Sequence, residues 1–160
     1  MAVSVKTRPS VRSRLHRTWR LPLWVYRWGL GCFVGEHLLL LSVDGNAEGE
    51  QHRVLLDVIG KEPDGSAYYA VSTHEESAPW YQTLLANPQA TIVVGRRRYR
   101  AWAVRLPFED ALGWLRGVAW EQPLAFHDFV KMACLPEDDG EAGLEAAARR
   151  LLVFKFEVLS

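Results

Sequence analysis

Apolar and polar side chains alternate most regularly near the end of the chain, over residues 151–159. Leu152, Phe154, Phe156 and Val158 alternate there with Val153, Lys155 and Glu157. A period of two predicts a strand with one buried and one solvated face. Continuous apolar runs at residues 38–43 and 54–59 predict two more strands, and residues 67–72 predict another.

Turn and cap residues divide the middle of the chain. Residues 90–94 and 97–104 form a predicted hairpin around Gly95, because glycine adopts the backbone angles that such turns need. Before it, residues 77–86 predict a short helix with Ser77 as the N-cap and Pro79 in the first turn. Pro88 pushes Asn87 out of helical space and ends that helix.

Three later segments have helical patterns: residues 107–119, 123–135 and 141–150. In the first of them Gly113 and Gly117 weaken the helix, which suggests that another backbone approaches it closely. Its predicted buried face consists of residues at helical spacing, namely Phe108, Ala111, Leu112, Leu115 and Ala119. Strands and helices together predict an α+β domain.

Composition limits the possible functions. A chain of 160 residues with 49% hydrophobic residues forms one domain with one core, and its zero formal net charge argues against a general nucleic-acid binder. No apolar run is long enough to span a membrane. Cys32 and Cys134 lack the spacing of a disulfide framework or a zinc site, so we expect a reducing, cytoplasmic compartment and no bound metal.

The basic residues are concentrated at the beginning of the chain. Residues 1–10 predict a disordered tail, residues 11–30 a basic amphipathic helix rich in tryptophan, and residues 31–160 the folded domain. We favour a helix that packs on the domain with solvated arginines. The alternatives are a lid over a ligand pocket or a peripheral contact with an anionic membrane.

A longer motif lies in the middle of the chain. It starts with a strand ending at Ser72, continues through Trp80-Tyr81-Gln82-Thr83-Leu84-Leu85-Ala86-Asn87-Pro88, and ends with Val94-Gly95-Arg96. Its order and spacing resemble the deazaflavin-dependent nitroreductases, from about Leu23 to the C-terminus. The resemblance implies a split β-barrel of the flavin-binding type, with antiparallel strands and flanking helices, and it implies a homodimer.

The same resemblance implies hydride transfer between reduced coenzyme F420 and a small activated acceptor such as a nitroaromatic, quinone or enone. The positions that match the family's tail-binding loop are Gly45, Asn46, Gly49, His52 and Arg53. The positions that match contacts with the ring are Val54, Leu55, Ser72, Thr73, His74, Pro79, Trp80 and Tyr81. The substrate-facing candidates are Trp24, Trp28, Trp120 and His127. No catalytic residue is assigned, and for Trp80 a core role explains the motif equally well.

The tail-binding loop departs from the family, which carries cations where this chain has Asn46 and Ala47. Glu48 and Glu50 add negative charge beside an anionic tail, although His52 could donate to a phosphate when protonated. Arginines at positions 96, 97, 98 and 100 are candidate replacements, but we interpret them as a solvated strand edge.

The altered loop leaves two alternatives to the reductase. One is a non-catalytic split-barrel protein that holds another planar or apolar ligand, such as FMN, haem or a lipid. The other is a structural homodimer whose ligand site has decayed. His74 with the neighbouring Glu75 and Glu76 is interpreted as a surface loop, because adjacent side chains rarely converge on one metal or proton.

Overall fold

Six antiparallel strands close into a barrel in the computed structural model, which describes residues 35–45, 49–73, 76–132 and 140–160. The strands are β1 Leu38–Asp44, β2 Gln51–Lys61, β3 Ala67–Ser72, β4 Gln89–Val94, β5 Arg97–Arg105 and β6 Leu152–Leu159. The helices are α1 Pro79–Ala86, α2 Phe108–Glu121, α3 Pro123–Met132 and α4 Glu141–Arg150. The predicted tail and basic helix, with Trp24 and Trp28, lie outside the described residues, as do Asn46 and His74.

The barrel closes because β4 pairs with β1, which gives the strand order β1-β2-β3-β6-β5-β4. The arginines are solvated as we expected, but our interpretation of them as a strand edge is wrong. Arg97, Arg98 and Arg100 lie on β5, which is hydrogen-bonded to β4 on one side and to β6 on the other. Closure depends on pairing between distant segments, which the local alternation of residues cannot reveal.

The barrel interior is filled by side chains from all six strands, and α1 covers one end of it. Trp80, Tyr81 and Leu84 of α1 belong to this interior cluster. The predicted N-cap at Ser77 is wrong by one residue, because the cap is Ala78 in an extended conformation without a side-chain hydrogen bond. Pro79 is the first helical residue and excludes Ala78 from the helix, so the proline fixes the start.

A second apolar cluster lies outside the barrel, where α2 and α4 pack against the strands. The predicted buried face of α2 is confirmed, since Ala111, Leu112 and Leu115 are buried. Val153, which we predicted on a solvated face, is only 1% exposed because these helices cover it. None of the helices in the described residues combines the length and apolar character needed to cross a membrane.

Strand β2 is longer than predicted at both ends. We predicted a loop through residue 53, but Gln51, His52 and Arg53 pair with Asp44, Val43 and Ser42 of β1. At the other end, the pairing of β2 with β3 shifts between Val58 and Gly60, which is a bulge-like irregularity. Polar side chains in a short hairpin made the first three residues indistinguishable from a loop in the sequence.

Asp57 of β2 supplies a prediction about stability. Its carboxyl is partly buried, and this burial raises its pKa above the ordinary value of 3.8. A raised pKa means that the fold disfavours the ionised form, so the folded state loses stability as pH rises through 3.8 towards the folded pKa. We expect Asp57→Asn to raise the melting temperature at neutral pH and to leave it unchanged below about pH 3.5.

Thermal melts across this pH range test the prediction, with Asp64→Asn as the control. Asp64 is exposed, and a hydrogen bond from the Ser66 side chain, together with one from the Ser66 amide at 2.9 Å, lowers the pKa of its carboxyl. The control substitution should therefore not raise the melting temperature at neutral pH. A gain for Asp57→Asn that is equal at all pH values would contradict a desolvated carboxylate.

Candidate functional site

One end of the barrel brings together three segments that the sequence assigned to a cofactor. Strands β2 and β3 are antiparallel, and Asp57 in the middle of β2 pairs with Val71 near the end of β3, so the first half of β2 extends beyond the end of β3. The β1–β2 turn, the residues after Ser72 and the first turn of α1 therefore share this end, and α1 packs on both β1 and β2. Residues of β2 and of α1, about thirty positions apart in the sequence, are therefore in contact.

The β1–β2 turn depends on its glycines. Gly49 has φ of 80°, in the left-handed region that side chains disfavour. The Gly45 amide donates to the Glu50 carbonyl at 2.8 Å and so closes the turn. A Cβ at position 45 would lie 2.6 Å from the Glu50 side chain, so Gly45 also makes room for that carboxylate.

Several of the predicted ring contacts are buried residues of the barrel end. Ser72 is 2% exposed, and Val54, Trp80 and Tyr81 belong to the interior cluster. Trp80 lies edge-to-face with Tyr81 and with Phe154 and is therefore part of the barrel core. The exposed or partly exposed members of the set are Thr73 and Pro79.

Leu55 differs from its neighbours because it lies on the outer face of β2. It pairs with Leu40 of β1 and is only 5% exposed. Its apolar side chain therefore belongs to neither of the two core clusters.

His52 contacts a carboxylate within its own turn. Its Nε2 lies 3.3 Å from Oε1 of Glu50, and it pairs across the strand with the buried Val43. When His52 is protonated, this carboxylate offsets its charge. The histidine is therefore a weaker anion donor than an isolated cation at the same place.

A polar row crosses four strands on the outer face of the barrel. Arg53 pairs with Ser42, Ser42 with Thr91, and Thr91 with Arg100. Directly paired residues project to the same face of a sheet, and the residues before and after Ser42 and Thr91 point into the barrel interior. The row therefore presents two hydroxyls between two exposed arginines. Strand spacing puts about 14 Å between the Cα atoms of Arg53 and Arg100.

The guanidinium of Arg53 is held by a neutral group. Its Nε and Nη2 donate to Oε1 of Gln51 at 2.9 and 2.6 Å, and Gln51 in turn donates to Asp44 at 3.2 Å. An amide oxygen orients the guanidinium without cancelling its charge. Our sequence analysis missed Ser42 and Thr91, because only the pairing register places them beside an arginine.

Arg105, at the end of β5, is a further residue that the sequence did not indicate. Its Nη1 donates to the Tyr81 hydroxyl at 2.5 Å, and its Nη2 lies 2.7 Å from Oε1 of Glu76. It pairs with Phe154, whose side chain points into the barrel. Arg105 therefore fastens α1 and the preceding turn to the barrel end.

The two described candidates for a substrate wall lie on helices. Trp120 is 88% exposed on the last turn of α2, and His127 is partly buried on α3. A side chain as exposed as Trp120 does not form part of an enclosed wall. Among the described residues, no three His, Cys, Asp or Glu side chains are grouped to hold a metal ion.

Comparisons with known proteins support the fold. No family model and no curated protein matches the chain. A protein of unknown function from Agrobacterium tumefaciens, Atu2129, matches with a TM-score of 0.51 and 13% identity over 84% of this chain and 53% of that one. A domain-swapped dimer matches with a TM-score of 0.50 and 19% identity over 77% and 81%. An F420-H2 dependent reductase, FDR-A, matches with a TM-score of 0.49 and 20% identity over 77% and 96%.

At these identities the likeness concerns the fold alone. The six-stranded antiparallel barrel with flanking helices is a split β-barrel of the α+β class, and this confirms the predicted fold class.

Proposed function

We propose that the chain is a deazaflavin-dependent oxidoreductase that holds the anionic tail of coenzyme F420 on the row formed by Arg53, Ser42, Thr91 and Arg100. The observation that supports this most strongly is the place of that row. It begins at Arg53, a position that the sequence resemblance assigns to the tail, and it continues across β1 and β4 to a second arginine.

The chemistry of the row fits that tail. A phosphodiester and a glutamate carboxylate offer only acceptor oxygens, and guanidinium and hydroxyl groups are the donors that bind them. Two arginines whose Cα atoms lie about 14 Å apart suit an extended anion better than one small ion. Arg100 would thus replace the cations that are missing at Asn46 and Ala47 of the turn.

The ring would lie at the barrel end, next to Thr73 and Pro79. Trp80 and Tyr81 close the interior behind this surface and exclude water from it. Arg105 holds the turn before α1 in place through Glu76 and Tyr81. When bound, such a coenzyme supplies hydride transfer to an activated acceptor such as a nitroaromatic, quinone or enone. The protein's part is to bind, to orient and to keep water out.

The remaining predicted positions complete the proposal. Asn46 and His74 would contact the coenzyme from the two loops, and Trp24, Trp28 and His127 would face the acceptor. A homodimer is also part of the proposal. It is supported by the sequence resemblance and by the like fold of a domain-swapped dimer.

A second candidate is a non-catalytic protein that holds FMN, haem or a lipid on the same barrel. The contact between His52 and Glu50 favours it, because one position assigned to the tail is offset within the chain. Such a protein would bind its ligand mainly through contacts with the planar or apolar part and less through an anionic tail.

Titration of the purified protein with oxidised F420, FMN and haem, followed by tryptophan quenching, separates the two candidates. We expect F420 to bind with a dissociation constant of about 1 μM or lower. The protein should then oxidise the reduced coenzyme with a nitroaromatic, quinone or enone. Saturable binding of FMN or haem without F420 binding would favour the second candidate. F420 binding without turnover of any acceptor class would remove the catalytic part of the proposal.

A further inference from the structure

A cavity of about 610 Å³ lies on another side of the molecule, between α2 and the outer wall of the barrel. The barrel contributes Ile59 of β2, Tyr69 of β3 and Lys155 of β6, whereas the polar row described above crosses β1, β4 and β5 as well as β2. The two sites therefore use different faces of the barrel. The volume of the cavity is in the range of sites that bind small molecules.

An aromatic pair lines this cavity. Trp114 of α2 stacks on Tyr69 with ring centroids 3.9 Å apart and an interplanar angle of 28°. The Tyr69 hydroxyl donates to Oε1 of Glu62 at 2.6 Å, which fixes the phenol ring. A Cβ at Gly60 would lie 2.3 Å from Cζ3 of Trp114, so the glycine in the irregular part of β2 admits the indole. The backbone is thus shaped to hold a large flat side chain here.

The helix side of the cavity has no side chains at two positions. Gly113 and Gly117 line it, and a Cβ at either would meet nothing within 4 Å. This overturns our expectation that another backbone approaches these glycines. Glycine lowers helix stability, and no close packing requires it at these positions. Its effect is to leave the space between α2 and the barrel open.

The charged groups around the cavity are mainly acidic. Glu109, Asp110 and Glu121 of α2 line it with exposed carboxylates. Lys155 is the cation in the described lining, and its Nζ donates to Oε1 of Glu157 at 2.9 Å. Because Glu157 offsets the charge of Lys155, the carboxylates of α2 give the cavity a negative potential.

We propose that this cavity binds a flat aromatic molecule carrying a positive charge, such as a protonated heteroaromatic amine. The indole of Trp114 offers a π surface that attracts cations, and the carboxylates of α2 add the complementary charge. This site goes beyond the proposed function and does not depend on it.

Fluorescence titration with 9-aminoacridine, a three-ring cation, tests the site, with anthracene-9-carboxylate as an anion of similar shape. We expect saturable binding of one cation per chain and at least tenfold weaker binding of the anion. Glu109→Gln with Asp110→Asn should weaken cation binding several-fold, whereas the matched control Glu145→Gln on α4 should not change it. Equal binding of both probes, or no binding of the cation, would overturn the proposal.

Filling the cavity separates a ligand site from a structural void. Gly113→Leu with Gly117→Leu should abolish cation binding while the melting temperature stays unchanged or rises by about 3–6 °C, because leucine favours the helix. If the leucine variant does not fold, Gly113→Ala with Gly117→Ala should fold and bind the cation at least threefold more weakly. A folded, filled variant that binds the cation like the wild type would contradict the assignment.

Discussion

The double substitution Arg53→Ala with Arg100→Ala is expected to weaken binding of oxidised F420 by about two to four powers of ten. Each arginine would donate charge-assisted hydrogen bonds to the tail, and such bonds contribute roughly 1.5–3 kcal/mol apiece. Two independent losses add, which gives a total of about 3–6 kcal/mol. Tryptophan quenching by the coenzyme measures the change directly.

Arg150→Ala is the matched control for this loss. Arg150 is an exposed arginine in the last turn of α4. Its substitution removes one positive charge, as each of the two substitutions in the row does, and it does not touch the polar row. We expect it to alter the affinity less than threefold. If the double variant also binds within threefold of the wild type, the row does not hold the tail.

Phe156→Ala is expected to produce the largest loss of stability, about 3–5 kcal/mol in the free energy of unfolding. Phe156 is fully buried in the barrel interior, and its ring centroid lies 5.9 Å from that of Phe154. Truncation removes its transfer free energy and leaves a cavity that the closed, hydrogen-bonded barrel cannot collapse to fill.

Urea denaturation provides the measurement, and Leu159→Ala in the same strand provides the control. Leu159 is 39% exposed, so its truncation should cost less than about 1 kcal/mol. Equal losses for the two variants would mean that the barrel interior does not dominate stability.

Elements defined by neighbouring residues could be predicted from the sequence. The hairpin around Gly95 and the helix before Asn87 have the predicted ends to within two residues, because glycine and proline restrict the backbone locally. The strand formed by residues 152–159 follows from its alternation, but the burial of Val153 does not. That burial comes from helices that pack on the strand from other parts of the chain.

The candidate sites were harder to predict, because they depend on register. No local pattern places Arg100 in one row with Arg53, since the row exists only when β4 pairs with β1. Trp114 carries no sequence signal that distinguishes it from a core aromatic. Its position over Gly60 depends on the irregularity in β2 and on the packing of α2. Resemblance to a family indicated the barrel end and Arg53, but not the other groups that face outward from it.

Comparison of F420 with the same deazaflavin ring lacking the phosphodiester and glutamate tail tests the tail-binding row most directly. The wild-type protein should bind the complete coenzyme at least about a hundredfold more tightly than the ring alone, and Arg53→Ala with Arg100→Ala should remove that difference while leaving ring binding unchanged. Equal affinities of the wild-type protein for the two compounds would contradict the proposal that this barrel recognises an anionic coenzyme tail.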